Sequence, residues 1–210
     1  MNMVARPTPP GAVVYPESDG KPMAENTRQY EWIVTIKENL DLLCRDRPAG
    51  FVAADNLVYP VEGHPEICQA PDVYVALGRP RGHRGSYKVW EEGGVFPQVV
   101  FEVLSPGNRG GEMARKFRFY QRYGVQEYYI YDPDDDRLWG WRREGGDLEE
   151  IPEMNGWVSP LLGIRFDTSG PELAIYRPDN KRFLKVEELA DRAARLAAKL
   201  RELGVDPDAV

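Results

Sequence analysis

The sequence predicts one globular α/β domain with an additional amphipathic helix at its C-terminal end. Three observations predict it. Residues 97–131 (PQVVFEVLSPGNRGGEMARKFRFYQRYGVQEYYIY) read as strand, polar turn, helix and strand. The 210 residues are 42% hydrophobic, 29% charged and 11% aromatic, enough apolar material for a real core. From Val186 onward, Leu189, Ala193, Leu196, Leu200 and Leu203 recur at alternating spacings of three and four between charged residues.

Residues 1–21 hold several prolines and no hydrophobic signal core, which predicts a loose lead-in. Asn26 or Thr27 can cap a first helix. Tyr30, Ile33, Val34, Lys37, Leu40 and Leu43 then mark one face, and Pro48-Ala49-Gly50 ends it. Phe51–Asp55 and Leu57–Val61 are short β-type segments, and 62–70 is a turn or loop. Pro71–Leu77 is a strand with its proline at the first position, where the missing N–H costs least. Residues 78–94 form a Gly-rich loop carrying Arg79, Arg81, Arg84 and Lys88.

Gln98–Leu104 has the Val- and Phe-rich composition of a buried strand, and Ser105-Pro106-Gly107-Asn108 stops it. Met113, Phe117 and Tyr120 follow at helical spacing. Gly124 ends that helix, and Val125–Asp132 is the next strand. Arg137–Arg142 and Leu148–Ile151 read as a hairpin across Glu144-Gly145-Gly146-Asp147. Residues 157–162, 164–167 and 173–176 add short strands or turns, and Gly204 stops the last helix. The chain thus divides into a lead-in (1–21), a main domain (22–178) and a C-terminal amphipathic helix (179–210) with an apolar seam suited to dimerisation.

A net charge of -7 argues against a protein that coats nucleic acid non-specifically, yet it leaves room for a local basic surface. Cys44 and Cys68 are too few for a disulfide framework or a zinc knuckle, and they read as reduced and buried thiols of a cytoplasmic protein. No stretch approaches the roughly 20 apolar residues of a membrane span. His64 and His83 have no second ligand at metal spacing, and Asp134-Asp135-Asp136 suits a hairpin turn better than a calcium loop.

One residue breaks the apolar run of the central strand. Glu102 shares a face with Val100 and Leu104, and a carboxylate there is costly unless its charge is compensated. Asp72 heads another strand, and Lys116 lies on the following helix, one turn after Glu112. If the two strands are neighbours, the carboxylates can converge on one hard divalent cation. Mg2+ suits this arrangement, with water and a phosphate oxygen in its remaining positions, and Mn2+ is a close substitute. A nearby lysine could orient the attacking water or stabilise charge on a phosphate. The bland readings are a half-exposed strand glutamate, a turn aspartate and an i,i+4 partner for Glu112.

The segments PDVYV, VVFEVLSPGNR and EMARKFRFYQRYGVQEYYIYDP resemble the bacterial "putative restriction endonuclease" family, formerly a domain of unknown function and a branch of the PD-(D/E)XK nuclease superfamily. The resemblance covers residues 22–178 and is most specific over 71–133. It implies a restriction-endonuclease-like core, with a central mixed β-sheet flanked by helices. Asp72 and Glu102 match the superfamily's two acidic positions, and Leu104 stands where its lysine usually does. Lys116 matches the position to which that lysine is taken to have moved in this family. An acidic residue of the first helix often joins the metal site, here Glu25 or Glu31, with Glu25 favoured by its place at the helix head.

The resemblance implies a Mg2+-dependent endonuclease acting on DNA, with Asp72, Glu102 and Lys116 catalytic and Asp72, Glu102 and Glu25 on the metal. The loop arginines Arg79, Arg81 and Arg84 are candidates for phosphate contact, and two-strand cutting suits a homodimer. The same residues also permit a silent nucleic-acid binder that keeps the fold, or an interaction module built on the terminal helix.

Overall fold

The computed structural model describes residues 13–20, 22–45, 49–107 and 110–207. Its main sheet has six strands in the order β1 (Gly50–Ala53), β3 (Val73–Leu77), β5 (Val99–Val103), β6 (Glu127–Asp132), β7 (Arg137–Glu144) and β8 (Asp147–Glu150). Only β5 and β6 run parallel, because the helix α2 (Gly110–Tyr123) carries the chain across between them. All other neighbours in the sheet are antiparallel. The short strands β2 (Val58–Tyr59) and β4 (Tyr87–Lys88) pair with each other, as do β9 (Arg165–Asp167) and β10 (Ala174–Tyr176). This is the mixed sheet flanked by helices that the sequence predicts.

Each face of the sheet has its own core. Alternation along β5 sends Val99, Phe101 and Val103 to a face covered by α1 (Thr27–Leu43) and the 151–183 segment. It sends Val100, with Tyr74 of β3 and Tyr128 of β6, to the face covered by α2. The N-cap of α1 is Asn26, whose Oδ1 accepts the Gln29 N–H at 2.8 Å. Its buried stripe is Trp32, Ile33, Ile36 and Leu40, whereas Tyr30, expected on that face, is 52% exposed. Trp32, which that face omitted, is buried in place of Tyr30. The C-terminal end of α2 is met by Arg143 of β7, whose guanidinium donates to Gln121 O in the last turn and to Val125 O just beyond it, each at 2.7 Å.

One expectation needs amendment. The lead-in is not loose throughout. Tyr15 packs its ring against Tyr59 and Trp90, at centroid distances of 5.1 and 5.0 Å, and Pro16 O accepts from Tyr59 OH at 2.8 Å. Residues 1–12 and 21, together with Pro48 and Asn108, lie outside the described residues. Residues 157–162, expected as a short strand or turn, make an isolated bridge from Val158 to Arg165 and a turn at 160–162.

A second buried carboxylate secures that region. Glu127 accepts from Ser159 Oγ at 2.5 Å, Leu161 N at 2.9 Å and Tyr129 OH at 3.0 Å. With three donors its charge is solvated internally, so it pins the 159–162 turn to the sheet. Glu127→Ala should strand those donors and lower stability by about 3 kcal/mol in urea unfolding. A loss below about 1 kcal/mol would contradict this role.

Candidate active site

The β3–β5 ladder ends at the pair Val73–Phe101. The next N–H on β5, that of Val103, finds no backbone partner on β3 and donates instead to Asp72 Oδ2 at 2.7 Å. Asp72 is thereby fixed beside Glu102, one residue earlier on β5. Glu102 is 1% exposed, and both its oxygens are met from α2. Lys116 Nζ donates to Oε2 at 2.6 Å and Tyr120 OH to Oε1 at 2.5 Å. Lys116 and Tyr120 are four residues apart and share the inward stripe of α2, which is why one helix serves both oxygens. Lys116 Nζ also reaches Ala70 O at 3.3 Å.

Leu104 follows Glu102 by two residues on the same face. It is apolar and packs with the α2-side core, so the cation has to come from the helix. Gln29 of α1 ties the other side of Val103, its Nε2 donating to Val103 O at 2.8 Å.

The charges in this buried group do not balance. Burial and then the negative charge of Glu102 push the Asp72 carboxyl well above the ordinary carboxylate range, while Lys116 and the Val103 N–H pull it down. Burial works against the Lys116 ammonium, but Glu102 and Asp72 outweigh it and hold the lysine protonated above its usual range. Two carboxylates thus face one ammonium. The buried hydroxyl of Tyr128 also lacks a hydrogen-bond partner among the described residues. It is held protonated well above its usual range by burial and then by the charges of Glu102 and Asp72.

A cleft of about 200 Å³ opens over Asp72 and Lys116, lined also by Asp19, Glu25, Asp55 and Glu112. Glu25 stands at the cleft wall, its Oε2 accepting from Ser105 Oγ at 2.6 Å. Gly107 makes room for it, since a Cβ there would stand 1.9 Å from that same oxygen. Glu31 faces away, lining a separate groove with Tyr30 and Val186. Asp55 sits at φ +49°, and burial followed by Asp19 raises its carboxyl above the usual range. No three Asp, Glu, His or Cys side chains among the described residues stand close enough to hold a metal ion by themselves. The donor set still suits a hard divalent cation, which takes one or two carboxylates and fills its other positions with water. An excess of buried negative charge is what such an ion neutralises.

The loop arginines do not join this site. Arg79 and Arg84 share Glu92, at 3.0 and 2.5 Å, and Arg81 pairs with Asp41 at 2.8 Å. They follow the C-terminal end of β3, whereas Asp72 precedes its start, a separation of roughly 17 Å along the strand. Arginine-rich loops signal charge but not where the chain carries it, and here the partners Glu92 and Asp41 were invisible in the spacing. Tyr120 and Ser105 are the residues that sequence reading missed. Tyr120 read as core, although its i,i+4 relation to Lys116 was the available signal. Ser105 read only as the turn that stops the strand.

The sign of the Asp72 shift yields a test. Its folded carboxyl holds its proton above the unfolded value of about 3.9. Its contribution to stability is therefore complete below about pH 4 and is lost as pH rises through the folded value. In EDTA, Asp72→Asn should raise the melting temperature at neutral pH and flatten its pH dependence, by about 2–4 °C per kcal/mol relieved. A variant that melts below wild type at every pH would contradict the charge imbalance.

A family model described as "Putative restriction endonuclease" (Uma2) matches residues 19–175. No curated protein matches the chain. A crystal structure of a "putative nuclease belonging to DUF820" from Anabaena variabilis ATCC 29413 is similar, with 15% identity and a TM-score of 0.47 over 64% of this chain and 72% of that one. The matched segment spans the whole sheet core from Asp19 in the cleft to β10, and the chain belongs to the "Putative restriction endonuclease" (Uma2) family.

Proposed function

We propose that the chain is a divalent-cation-dependent endonuclease that hydrolyses phosphodiester bonds of DNA, with Asp72, Glu102 and Lys116 as its catalytic residues. The observation that carries this reading is that half-buried Asp72 and buried Lys116 line one cleft while Lys116 also holds the buried Glu102 just beneath it. Asp72 and Glu102 would hold Mg2+ or Mn2+, with Glu25 as a third carboxylate at the cleft wall. The bound ion would neutralise their excess charge, polarise the scissile phosphate and acidify a bound water.

The remaining work falls to the chain. Asp72 and Glu102 are held at fixed positions by Val103 N–H and Tyr120 OH, so little reorganisation accompanies the reaction. Lys116 is kept protonated by its two carboxylate neighbours. Its role is therefore to donate: it orients the attacking water and offers positive charge to a phosphoryl oxygen, rather than taking a proton. Tyr120 is buried and stays a donor, since burial and then Glu102 raise its phenol well above the usual range.

The terminal helix α3 (Val186–Glu202) supports the dimer part of the reading. None of its residues is buried, and Val186, Leu196 and Leu203 are 53%, 57% and 68% exposed. Its apolar positions keep a seven-residue repeat, which suits pairing with the same helix of a second copy. The rival reading, a silent binder that keeps the fold, draws on the fact that both Glu102 oxygens already have protein donors. No described helix is long and apolar enough to cross a membrane.

Nicking of supercoiled plasmid by the purified chain with Mg2+ or Mn2+ decides between the two. Wild type should cut only with metal, and Asp72→Ala, Glu102→Ala and Lys116→Ala should each lose about a hundredfold or more in rate. Absence of metal-dependent cutting would favour the silent binder, and variants that cut like wild type would overturn the assignment of these residues. Deleting residues 186–210 should convert a dimer to a monomer in light scattering while leaving each site intact, and an unchanged mass would contradict the α3 seam.

A further inference from the structure

The active-site cleft and a second cavity share the same two walls. The cleft is bounded by α2 through Glu112 and Lys116, and by the segment before β3 through Gln69 and Ala70. The second, open cavity of about 360 Å³ is bounded by α2 through Arg118, Phe119, Arg122 and Tyr123, and by Ile67 of that same segment. Both cavities thus lie against α2 and the segment before β3, the cleft acidic and the second cavity basic.

Arg115, Arg118 and Arg122 are exposed and follow one another at i, i+3 and i+7, so they form a stripe on the outer side of α2. Among the described residues no carboxylate lies within ion-pair distance of any of them. The loop arginines 79, 81 and 84 contrast with this, each already facing Glu92 or Asp41. The ring of Phe119, half-buried beside the stripe, is held by Tyr123 at 4.8 Å and Phe96 at 6.1 Å between centroids.

We propose that this face of α2 is the track along which one strand of a nucleic acid is held as it enters the cleft. The proposal rests on the nuclease reading above and adds where the strand is gripped. The cleft itself is too acidic to attract a polyanion, so affinity has to come from outside it. Three unneutralised arginines supply it, binding phosphate oxygens through paired N–H donors. From Arg115 to Arg122 the helix rises about 10 Å, the length of about three nucleotide steps. The fixed face of Phe119 gives an unstacked base a surface to lie on.

The test measures binding apart from cutting. Fluorescence anisotropy of labelled single-stranded and duplex oligonucleotides would be followed with the full chain, in EDTA and in Ca2+, across a salt series. Arg118→Glu with Arg122→Glu should weaken binding by about tenfold or more at low salt. The milder Arg118→Ala with Arg122→Ala should lower the slope of log K against log salt by about 2. Arg81→Glu should leave both unchanged. Melting curves of all variants would confirm that they fold. Charge-reversed protein that binds like wild type, or wild type that binds no oligonucleotide in either condition, would overturn the track. Plasmid nicking by the same proteins keeps the two claims apart. Wild type that cuts while the charge-reversed variant binds normally overturns the track alone. Binding that depends on Arg118 and Arg122 without any cutting supports the track and overturns the nuclease.

Discussion

A glutamate in the middle of a fully buried five-residue strand is tolerable only because a helix brings two donors to it. Lys116 and Tyr120 each occupy one oxygen of Glu102, and they can do so because α2 is the crossover between the two parallel strands β5 and β6. The crossover must cover the sheet face on which Glu102 lies. The same connection that makes the β5–β6 pair topologically possible therefore delivers the counter-charge. Removing Lys116 would leave the buried Glu102 beside Asp72 without its counter-charge, a situation that typically costs about 3–5 kcal/mol. Fold and site share this contact and are not separable there.

Asp72 belongs to the same economy of positions. Its side chain takes the ladder place that the β3 backbone gives up after Val73. Glu25 reaches the cleft from the head of α1 because Gly107 leaves space and Ser105 supplies a donor. The acidic cleft and the bare arginines of α2 then divide two tasks. The cleft gathers negative charge that a cation can satisfy, and the helix exterior carries the positive charge that a polyanion needs.

Much of this was legible in the chain. The 97–131 unit is read correctly because strand and helix periodicities change sharply at Ser105 and Gly124. Glu102 stands out because it violates an apolar run, and the resemblance supplies Asp72 and Lys116 as its partners. Tyr120 could not be distinguished from a core aromatic, since a buried phenol and a donating phenol look alike in sequence. The loop arginines were overvalued because Glu92 and Asp41, which neutralise them, are distant along the chain or unremarkable in spacing.

The central claim is that the group would carry one negative charge too many with both carboxylates ionised, and that a divalent cation, in place of the proton on Asp72, completes it. Isothermal titration calorimetry of Mn2+ into the full chain tests it without reference to cutting. The account predicts saturable binding in wild type at neutral pH that weakens as pH falls and is lost in Asp72→Asn and Glu102→Gln, while Arg81→Glu binds normally. Binding that persists unchanged in both carboxylate variants, or no binding by wild type, would contradict it.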